Sequence, residues 1–261
     1  MSRLPFFTRT PHRAARFLSD RVGYAVGDIH GRDDLLANLL AEMEARSQAD
    51  QRLAGAPLVV FLGDYVDRGP RAREVIDLLL SDRPNGFERR FLMGNHEQSM
   101  LAFVQEPLVN RAWVFHGGAE TMRSYGVQPP PSVKAEDQAW LDAAAALQSA
   151  LPPEHLAFLN GLERYLVMGD YLFVHAGVDL TKSLDDQTDT DLFWSRERFL
   201  KSKKPFSHRI VHGHTPADVA YVDPRRIGID TGAYATGILT AVRLEGEEVD
   251  LITIQGQGQG L

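Results

Sequence analysis

The chain has 261 residues, of which 44% are hydrophobic and 24% are charged, a composition typical of a soluble globular protein with one large domain. It contains no cysteine, which excludes disulfides, thiolate metal sites and cysteine nucleophiles, so any metal must be held by nitrogen and oxygen. The formal net charge of −7 argues against a dedicated nucleic-acid binder, because phosphate backbones are bound mainly by Lys and Arg.

The first 20 residues carry four arginines among apolar residues, but never an apolar run long enough for a signal-peptide core or a membrane span. We therefore expect a cytoplasmic protein. Residues 1–20 are predicted to be a poorly ordered extension, with a docking or membrane-surface segment as the alternative. A single domain is predicted over residues 21–254, and a disordered Gly/Gln tail over residues 255–261.

Three apolar runs in the first hundred residues are predicted strands, at residues 24–26, 57–62 and 91–93, and each ends on a glycine followed by polar groups. A helix is predicted after each loop, from the helical spacing of apolar residues after residues 33 and 70 and over residues 97–104. Strand, loop and helix thus alternate, which is typical of a parallel sheet. Such sheets place reactive groups at the carboxyl ends of their strands.

Between about residues 105 and 162 the strand pattern disappears, and helices are predicted around residues 113–125, 135–148 and 153–162. We interpret this segment as a helical insertion beside the site. Strands return at Tyr165–Met168 and Tyr171–Val174, which Gly169-Asp170 joins as a hairpin. Further strands are predicted at residues 209–211, 219–222, 227–229, 238–244 and 249–254.

Polar groups collect at these predicted strand ends. They are Asp28, His30, Asp64, Asn95, His175 and His214. Neutral imidazoles, carboxylates and one amide oxygen, without sulfur, suit Mn, Fe or Zn. Six ligands exceed what one open catalytic ion needs, so two ions are expected, about 3.5–4 Å apart and bridged by the central carboxylate of Asp64.

In their order along the chain, these motifs resemble the metallo-dependent, calcineurin-like phosphoesterase superfamily, and within it the bacterial and phage-type serine/threonine protein phosphatases. The resemblance rests on Gly27-Asp28-Ile29-His30-Gly31, Gly63-Asp64-Tyr65-Val66-Asp67-Arg68-Gly69, Gly94-Asn95-His96-Glu97, His175-Ala176-Gly177 and Gly213-His214-Thr215-Pro216. Smaller similarities are Gly117-Gly118 after Trp113, Trp194-Ser195-Arg196-Glu197-Arg198 and Asp230-Thr231-Gly232-Ala233. The resemblance implies an α/β fold, a four-layer α-β-β-α sandwich of two mixed sheets flanked by helices.

The resemblance also implies a role for each site residue. One divalent transition-metal ion is held by Asp28, His30 and Asp64, and the other by Asp64, Asn95, His175 and His214, with Mn²⁺ favoured and Fe or Zn as alternatives. His96 acts as general acid on the leaving oxygen, oriented by Asp67. Arg68 binds the phosphate, and Arg196 is carried over as a second phosphate ligand.

The remaining histidines and aromatic residues have simpler interpretations. His12, His116, His155 and His208 are read as surface or core residues, and Trp113 and Trp140 as helix packing. His212 stands two residues before His214, so it could share that face of the strand and contact substrate. Tyr234 and Glu197 are candidates for lining the pocket.

Three functions are weighed. The favoured one is hydrolysis of phosphoserine or phosphothreonine in proteins, with small aryl phosphates also accepted. The alternative is hydrolysis of dinucleoside polyphosphates such as diadenosine tetraphosphate; there Gln is expected in place of His30 and Asn in place of Asp67, which favours the protein phosphatase. The third possibility, an interaction scaffold that has lost catalytic activity, is disfavoured because all six predicted metal ligands and His96 are present. The expected partner is a phosphorylated protein or small phosphoester, and the oligomeric state is left open.

Overall fold

The computed structural model of the chain describes residues 14–49, 55–204 and 206–257. In chain order its elements are β1 (Gly23–Val26), α1 (Asp33–Ala49), β2 (Leu58–Phe61), α2 (Ala72–Leu80), β3 (Glu88–Phe91), α3 (Asn95–Gln105), α4 (Ala119–Ser124), α5 (Asp137–Ala150), α6 (Pro153–Asn160), β4 (Tyr165–Met168), β5 (Tyr171–Val174), α7 (Asp189–Trp194), α8 (Glu197–Leu200), β6 (Arg209–His212), β7 (Tyr221–Val222), β8 (Arg226–Gly228), α9 (Ala233–Thr236), β9 (Ile238–Glu245) and β10 (Glu248–Gln255). An irregular helical turn, Val114–Gly118, precedes α4.

The described strands form two mixed five-stranded sheets. The first has the order β10-β9-β1-β2-β3, in which β1, β2 and β3 are parallel and β9 is antiparallel to its neighbours. The second has the order β4-β5-β6-β8-β7, in which β5, β6 and β8 are parallel. Val26 is level with Phe61, and Phe61 with Phe91, so the loops that follow β1, β2 and β3 leave the sheet side by side.

The two sheets pack face to face through apolar side chains. Ala25 and Val60 of the first sheet and Phe173 and Val211 of the second are fully buried in this shared core. Helices α1 and α2 cover the outer face of the first sheet, and α7 and α8 cover that of the second. Both faces of each sheet are thus covered, which explains the continuous apolar runs of the central strands. The predicted four-layer α-β-β-α sandwich is confirmed.

The predicted insertion is helical, and its apolar residues pack in one buried cluster with residues of α2 and α3. Trp140, fully buried, packs with Leu147 of the same helix and with Phe103 of α3. The indole N–H of Trp140 donates to the carbonyl of Ala135 (3.2 Å), so the polar edge of the buried ring is satisfied. The insertion is therefore fixed against the helix that begins at Asn95.

Strand β3 lies earlier than the sequence predicts, at Glu88–Phe91 instead of residues 91–93. It is the edge strand of its sheet, where charged side chains reach solvent, so an apolar run is a poor guide to its position. Arg90 forms an ion pair with Glu163 (Nε to Oε1, 2.6 Å), and Leu92 forms an isolated bridge with Glu163. Helix α3 likewise begins at Asn95, two residues before the predicted start.

Both predicted terminal segments pack partly on the domain. The buried Phe17 donates its backbone N–H to Gly246 (2.8 Å), so the packing includes residues that the sequence assigns to the extension. At the other end, Arg32 donates to the carbonyl of Gln257 (3.1 Å). Residues 1–13 and 258–261 of these segments lie outside the described residues. Among the helices that the structure describes, none combines the length and apolarity needed to cross a membrane.

Candidate active site

Loops from both sheets converge at the carboxyl ends of the parallel strands. Gly63, directly after β2, has φ +101°, and a Cβ there would lie 2.6 Å from the Gly94 nitrogen and 3.0 Å from the His175 ring. Only glycine fits this close approach and this backbone conformation. The glycines that end the predicted strands therefore let loops from both sheets meet at one place.

Strained backbone is concentrated in these loops. Five non-glycine residues have positive φ among the residues that the structure describes: His30 (47°), Asp64 (53°), Asp67 (73°), Arg68 (67°) and His214 (67°). Each such residue costs on the order of 1–3 kcal/mol, and strain of this kind is typical of functional sites. All five belong to the site predicted from sequence.

Asp64 stands at the centre of the predicted metal ligands. Its Oδ2 lies 3.5 Å from Nε2 of His30, and its Oδ1 lies 3.4 Å from Nε2 of His175. Two groups of candidate ligand atoms, each within 4.8 Å, share this residue: His30, Asp64 and His96, and Asp64, His175 and His214. The carboxylate of Asp28 accepts the backbone N–H of His214 (3.0 and 3.1 Å). The six predicted ligands are thus brought together.

The hydrogen bonds of His30 and His175 show which ring nitrogen of each is left to bind a cation. Nδ1 of His30 donates to the Val66 carbonyl (2.8 Å), which leaves the lone pair of Nε2 buried without a partner. Nδ1 of His175 donates to the Leu62 carbonyl (2.8 Å), so its Nε2 lone pair faces the amide oxygen of Asn95 at 3.0 Å. Two acceptors this close call for a cation between them.

The protonation of these rings also favours a metal. Burial lowers the pKa of His30 to about 3 and that of His214 to about 2, and it lowers the pKa of His175. Neutral imidazoles are the form that binds metal ions. Nε2 of His214 is buried and unpartnered as well. The donor set therefore fits a metal centre of nitrogen and oxygen ligands.

A second group of side chains is organised around Asp67. Nδ1 of His96 lies 2.6 Å from Oδ2 of Asp67, a fully buried carboxylate. That oxygen also accepts the indole N–H of Trp113 (2.7 Å), while Oδ1 accepts the hydroxyl of Thr121 (2.6 Å). Burial lowers the pKa of His96, but the charges of Asp64 and Asp67 outweigh this effect and raise that pKa above its usual value. His96 is thus held by one nitrogen with the other facing the site.

Both Trp113 and Thr121, which donate hydrogen bonds to Asp67, belong to the helical insertion. The sequence analysis did not assign Thr121 and interpreted Trp113 as a packing residue. The Gly117 carbonyl accepts the backbone N–H of Arg68 (3.1 Å). Gly117 has φ +113°, and a Cβ there would lie 2.8 Å from the Arg68 nitrogen. The glycine pair Gly117-Gly118 is the feature of the sequence that could have indicated this contact, because adjacent glycines let a helical turn approach another backbone closely.

The predicted phosphate-binding arginines differ in exposure. Arg68 is half-buried, with Nη2 3.0 Å from Nε2 of His96 and the guanidinium carbon 4.8 Å from the ring centre of Tyr234. Tyr234 also contacts the ring of His30, so it lines the site as expected. Arg196 is exposed. Burial is the main cause of the lowered pKa of His175 and of His214, and the positive charge of Arg196 lowers both further. Glu197 instead pairs with Lys201 (2.8 Å) at the surface.

Glu97 is a further organising residue that sequence reasoning did not assign. Its buried carboxylate accepts four backbone N–H groups, those of Asp64 (2.9 Å), Tyr65 (2.7 Å), Val66 (3.1 Å) and Gly94 (3.0 Å). Burial and the charge of Asp64 raise its pKa to about 8, while the backbone donors oppose the shift. The available signal was a glutamate three residues after the helix cap at Gly94.

We expect Glu97→Gln to lower the free energy of unfolding by about 2–4 kcal/mol, because an amide leaves two of these buried donors without an acceptor. Urea denaturation of the metal-free protein measures it. Glu106→Gln, at the exposed end of the same helix, is the matched control. Equal stability of Glu97→Gln and wild type would contradict this role.

The remaining histidines lie apart from the site or serve structure. Nδ1 of His212 donates to the Gly213 carbonyl (3.0 Å), and its Nε2 accepts from Arg226 (3.0 Å). His212 is therefore a structural residue of β6. His155 is a buried link between Tyr125 (2.8 Å) and Asp77 (2.9 Å), and His116 is exposed.

The hydrogen bond of Thr121 to Asp67 allows a direct test of whether the insertion positions the site. We expect Thr121→Val to lower kcat by about 10- to 100-fold, because small displacements of a catalytic group are costly. The loss should be larger for phenyl phosphate than for 4-nitrophenyl phosphate, since His96, as the predicted general acid, would serve the poorer leaving group. Ser124→Ala on the same helix is the control, as its hydroxyl donates only to the Thr121 carbonyl (2.7 Å) and accepts from Arg73. Equal losses on both substrates would contradict positioning.

A family model described as calcineurin-like phosphoesterase matches residues 24–253. The chain therefore belongs to this family of phosphoesterase hydrolases, as its sequence motifs indicate. Among curated relatives, the symmetrical bis(5'-nucleosyl)-tetraphosphatase of Vibrio parahaemolyticus is 25% identical, over 87% of this chain and 96% of its own length. The asymmetrical bis(5'-nucleosyl)-tetraphosphatase PrpE of a Geobacillus species is 28% identical, over 88% of this chain and 92% of its own.

Solved structures support the fold. A candidate diadenosine tetraphosphatase superimposes with a TM-score of 0.61 at 20% identity, covering 94% of this chain and all of the other. A protein serine/threonine phosphatase of Saccharomyces cerevisiae gives a TM-score of 0.54 at 16% identity, covering 92% and 82%. Because the fold is common to both activities, it does not separate them.

Proposed function

We propose that the chain hydrolyses dinucleoside tetraphosphates. The observation that carries the proposal is the similarity to curated tetraphosphatases, of both the symmetrical and the asymmetrical kind, over 87% and 88% of this chain. His30 and Asp67, the two positions that favour a protein phosphatase, weigh less than a similarity that spans most of the chain. A small phosphoester also fits a centre that lies at the ends of the strands, between loops of both sheets.

The metal centre follows the ligands brought together at Asp64. We assign Asp28, His30 and Asp64 to one ion, and Asp64, Asn95, His175 and His214 to the other. Two divalent ions, with Mn²⁺ favoured and Fe or Zn as alternatives, would neutralise phosphate oxygens and acidify a water. Asp64 would be shared by the two ions, because its Oδ2 faces Nε2 of His30 and its Oδ1 faces Nε2 of His175.

The chain's own side chains complete the reaction. Arg68 and Arg196 bind the phosphate oxygens and orient the phosphorus for in-line attack by water. As the bond between phosphorus and the leaving oxygen breaks, Nε2 of His96 gives its proton to that oxygen. Asp67, 2.6 Å from Nδ1, stabilises the protonated ring beforehand and fixes its direction.

Product analysis tests the proposal. Diadenosine tetraphosphate is incubated with the purified protein and Mn²⁺, and the products are separated by anion exchange. We expect ADP alone for symmetrical cleavage, or AMP with ATP for asymmetrical cleavage. Asp64→Asn is the control for a contaminating hydrolase. Intact diadenosine tetraphosphate, under conditions where 4-nitrophenyl phosphate is hydrolysed, would contradict the proposed function.

A further inference from the structure

Trp194 is an exposed aromatic residue beside the metal ligands. It ends helix α7, 43% of it is accessible to solvent, and its ring centre lies 6.4 Å from that of His214. The indole N–H donates to the side-chain oxygen of Gln98 (2.8 Å), which fixes the orientation of the ring. A partly exposed indole held by a hydrogen bond is a surface on which a nucleobase can stack.

The same glutamine lines a groove of about 310 Å³, and so does Phe193, the residue before Trp194. Helix α3 lines it with Gln98, Leu101, Ala102 and Gln105, whose spacing places them on one helix face. The first turn of the same helix carries Asn95 and His96, so the groove lies along the helix that supplies a predicted metal ligand. At 1.5 Å per residue, Leu101 lies roughly 9 Å along the helix from Asn95.

The other residues that line the groove are apolar or charged. Met93, Leu162 and Phe193 contribute apolar surface. Arg164 also lines the groove and pairs with Asp189 (2.7 Å). Glutamine amides both donate and accept, which suits the edge of a purine such as adenine. Apolar walls with a few polar groups are typical of small-molecule sites.

From this arrangement we propose that Trp194 and the α3 groove bind one nucleoside of the substrate, with the base stacked on Trp194 and its phosphates directed to the metal centre. This inference rests on the proposed function and names the residues that would give it nucleotide preference. Gln98 holds the indole and lines the groove, and Gln105 offers its amide to the base edge. Trp194 and these glutamines are thus specificity residues.

Tryptophan fluorescence tests the contact without relying on turnover. The chain has three tryptophans, and Trp113 and Trp140 are buried, so a ligand that stacks on Trp194 quenches the exposed one. We expect saturable quenching of the metal-loaded protein by ADP, much weaker quenching by pyrophosphate, and loss of the ADP effect in Trp194→Leu. The same quenching by ADP in wild type and Trp194→Leu would overturn the proposal.

Kinetics provide the second test. We expect Trp194→Leu to raise KM for diadenosine tetraphosphate by about 5- to 100-fold, the value of one stacked base. Ala102→Phe, which fills the groove from α3, should raise KM as well. Tyr221→Ala removes another exposed aromatic residue, on β7, and should leave KM unchanged.

The outcomes separate this inference from the proposed function. A wild type that cleaves diadenosine tetraphosphate, with unchanged KM in both Trp194→Leu and Ala102→Phe, overturns the nucleoside site and leaves the function standing. A wild type that cleaves 4-nitrophenyl phosphate but not diadenosine tetraphosphate overturns the proposed function and the nucleoside site with it.

Discussion

Replacing His96 by Asn is expected to lower turnover of phenyl phosphate by about 10²- to 10⁴-fold, the usual contribution of a general acid. A phenolate resembles the tyrosine side chain, whose pKa is about 10, and needs a proton as the P–O bond breaks. A nitrophenolate leaves largely unaided, so 4-nitrophenyl phosphate should lose distinctly less. The prediction rests on the 2.6 Å contact of Nδ1 of His96 with Asp67, which directs Nε2 into the site beside Arg68.

Steady-state kinetics with a series of aryl phosphates measure this effect as the dependence of kcat on leaving-group pKa. The dependence should steepen in His96→Asn, and more mildly in Asp67→Asn, which only loosens the orientation of the ring. Metal content must stay at the wild-type level in both variants. Parallel losses across the series would mean that His96 serves the metals or the phosphate.

Asp64→Asn is expected to reduce the metal content from about two ions per chain to one or fewer. An amide has one oxygen and no charge, whereas both oxygens of Asp64 face histidine nitrogens at 3.4 and 3.5 Å. Turnover of every phosphoester should fall to background, since the proposed dinuclear centre would lose its shared ligand. Metal analysis by mass spectrometry after reconstitution with Mn²⁺ measures the stoichiometry.

The control for Asp64→Asn is Asp77→Asn, because Asp77 is an exposed aspartate that contacts His155 and no metal ligand. It should keep two ions. A wild-type stoichiometry near one, unchanged in Asp64→Asn, would contradict the bridging role of Asp64.

Much of the site could be predicted because its residues follow directly after buried strands. An apolar run that ends on glycine, as at Gly27 and Gly63, indicates both the strand and the point where it delivers side chains. Parallel strands in register then place the loops together, as the pairing of Val26 with Phe61 shows. Local patterns therefore carry the information for Asp28, Asp64 and their neighbours.

The supports of the site could not be predicted in this way. Trp113 and Thr121 reach Asp67 only because the insertion folds back over the loop after β2. Their spacing is that of ordinary helix packing, and nothing in it distinguishes a side chain that packs from one that also donates a hydrogen bond. Strand β3 was misplaced for a related reason, since its charged residues reflect an edge position that only the assembled sheet defines.

The ratio of kcat/KM for diadenosine tetraphosphate to that for a phosphoserine peptide tests the central claim most directly, with both measured on one preparation of the Mn²⁺-loaded protein. We expect a ratio well above one, because the metal centre, Arg68 and the groove along α3 are assigned to a nucleotide. A ratio below one would contradict it and restore the protein phosphatase.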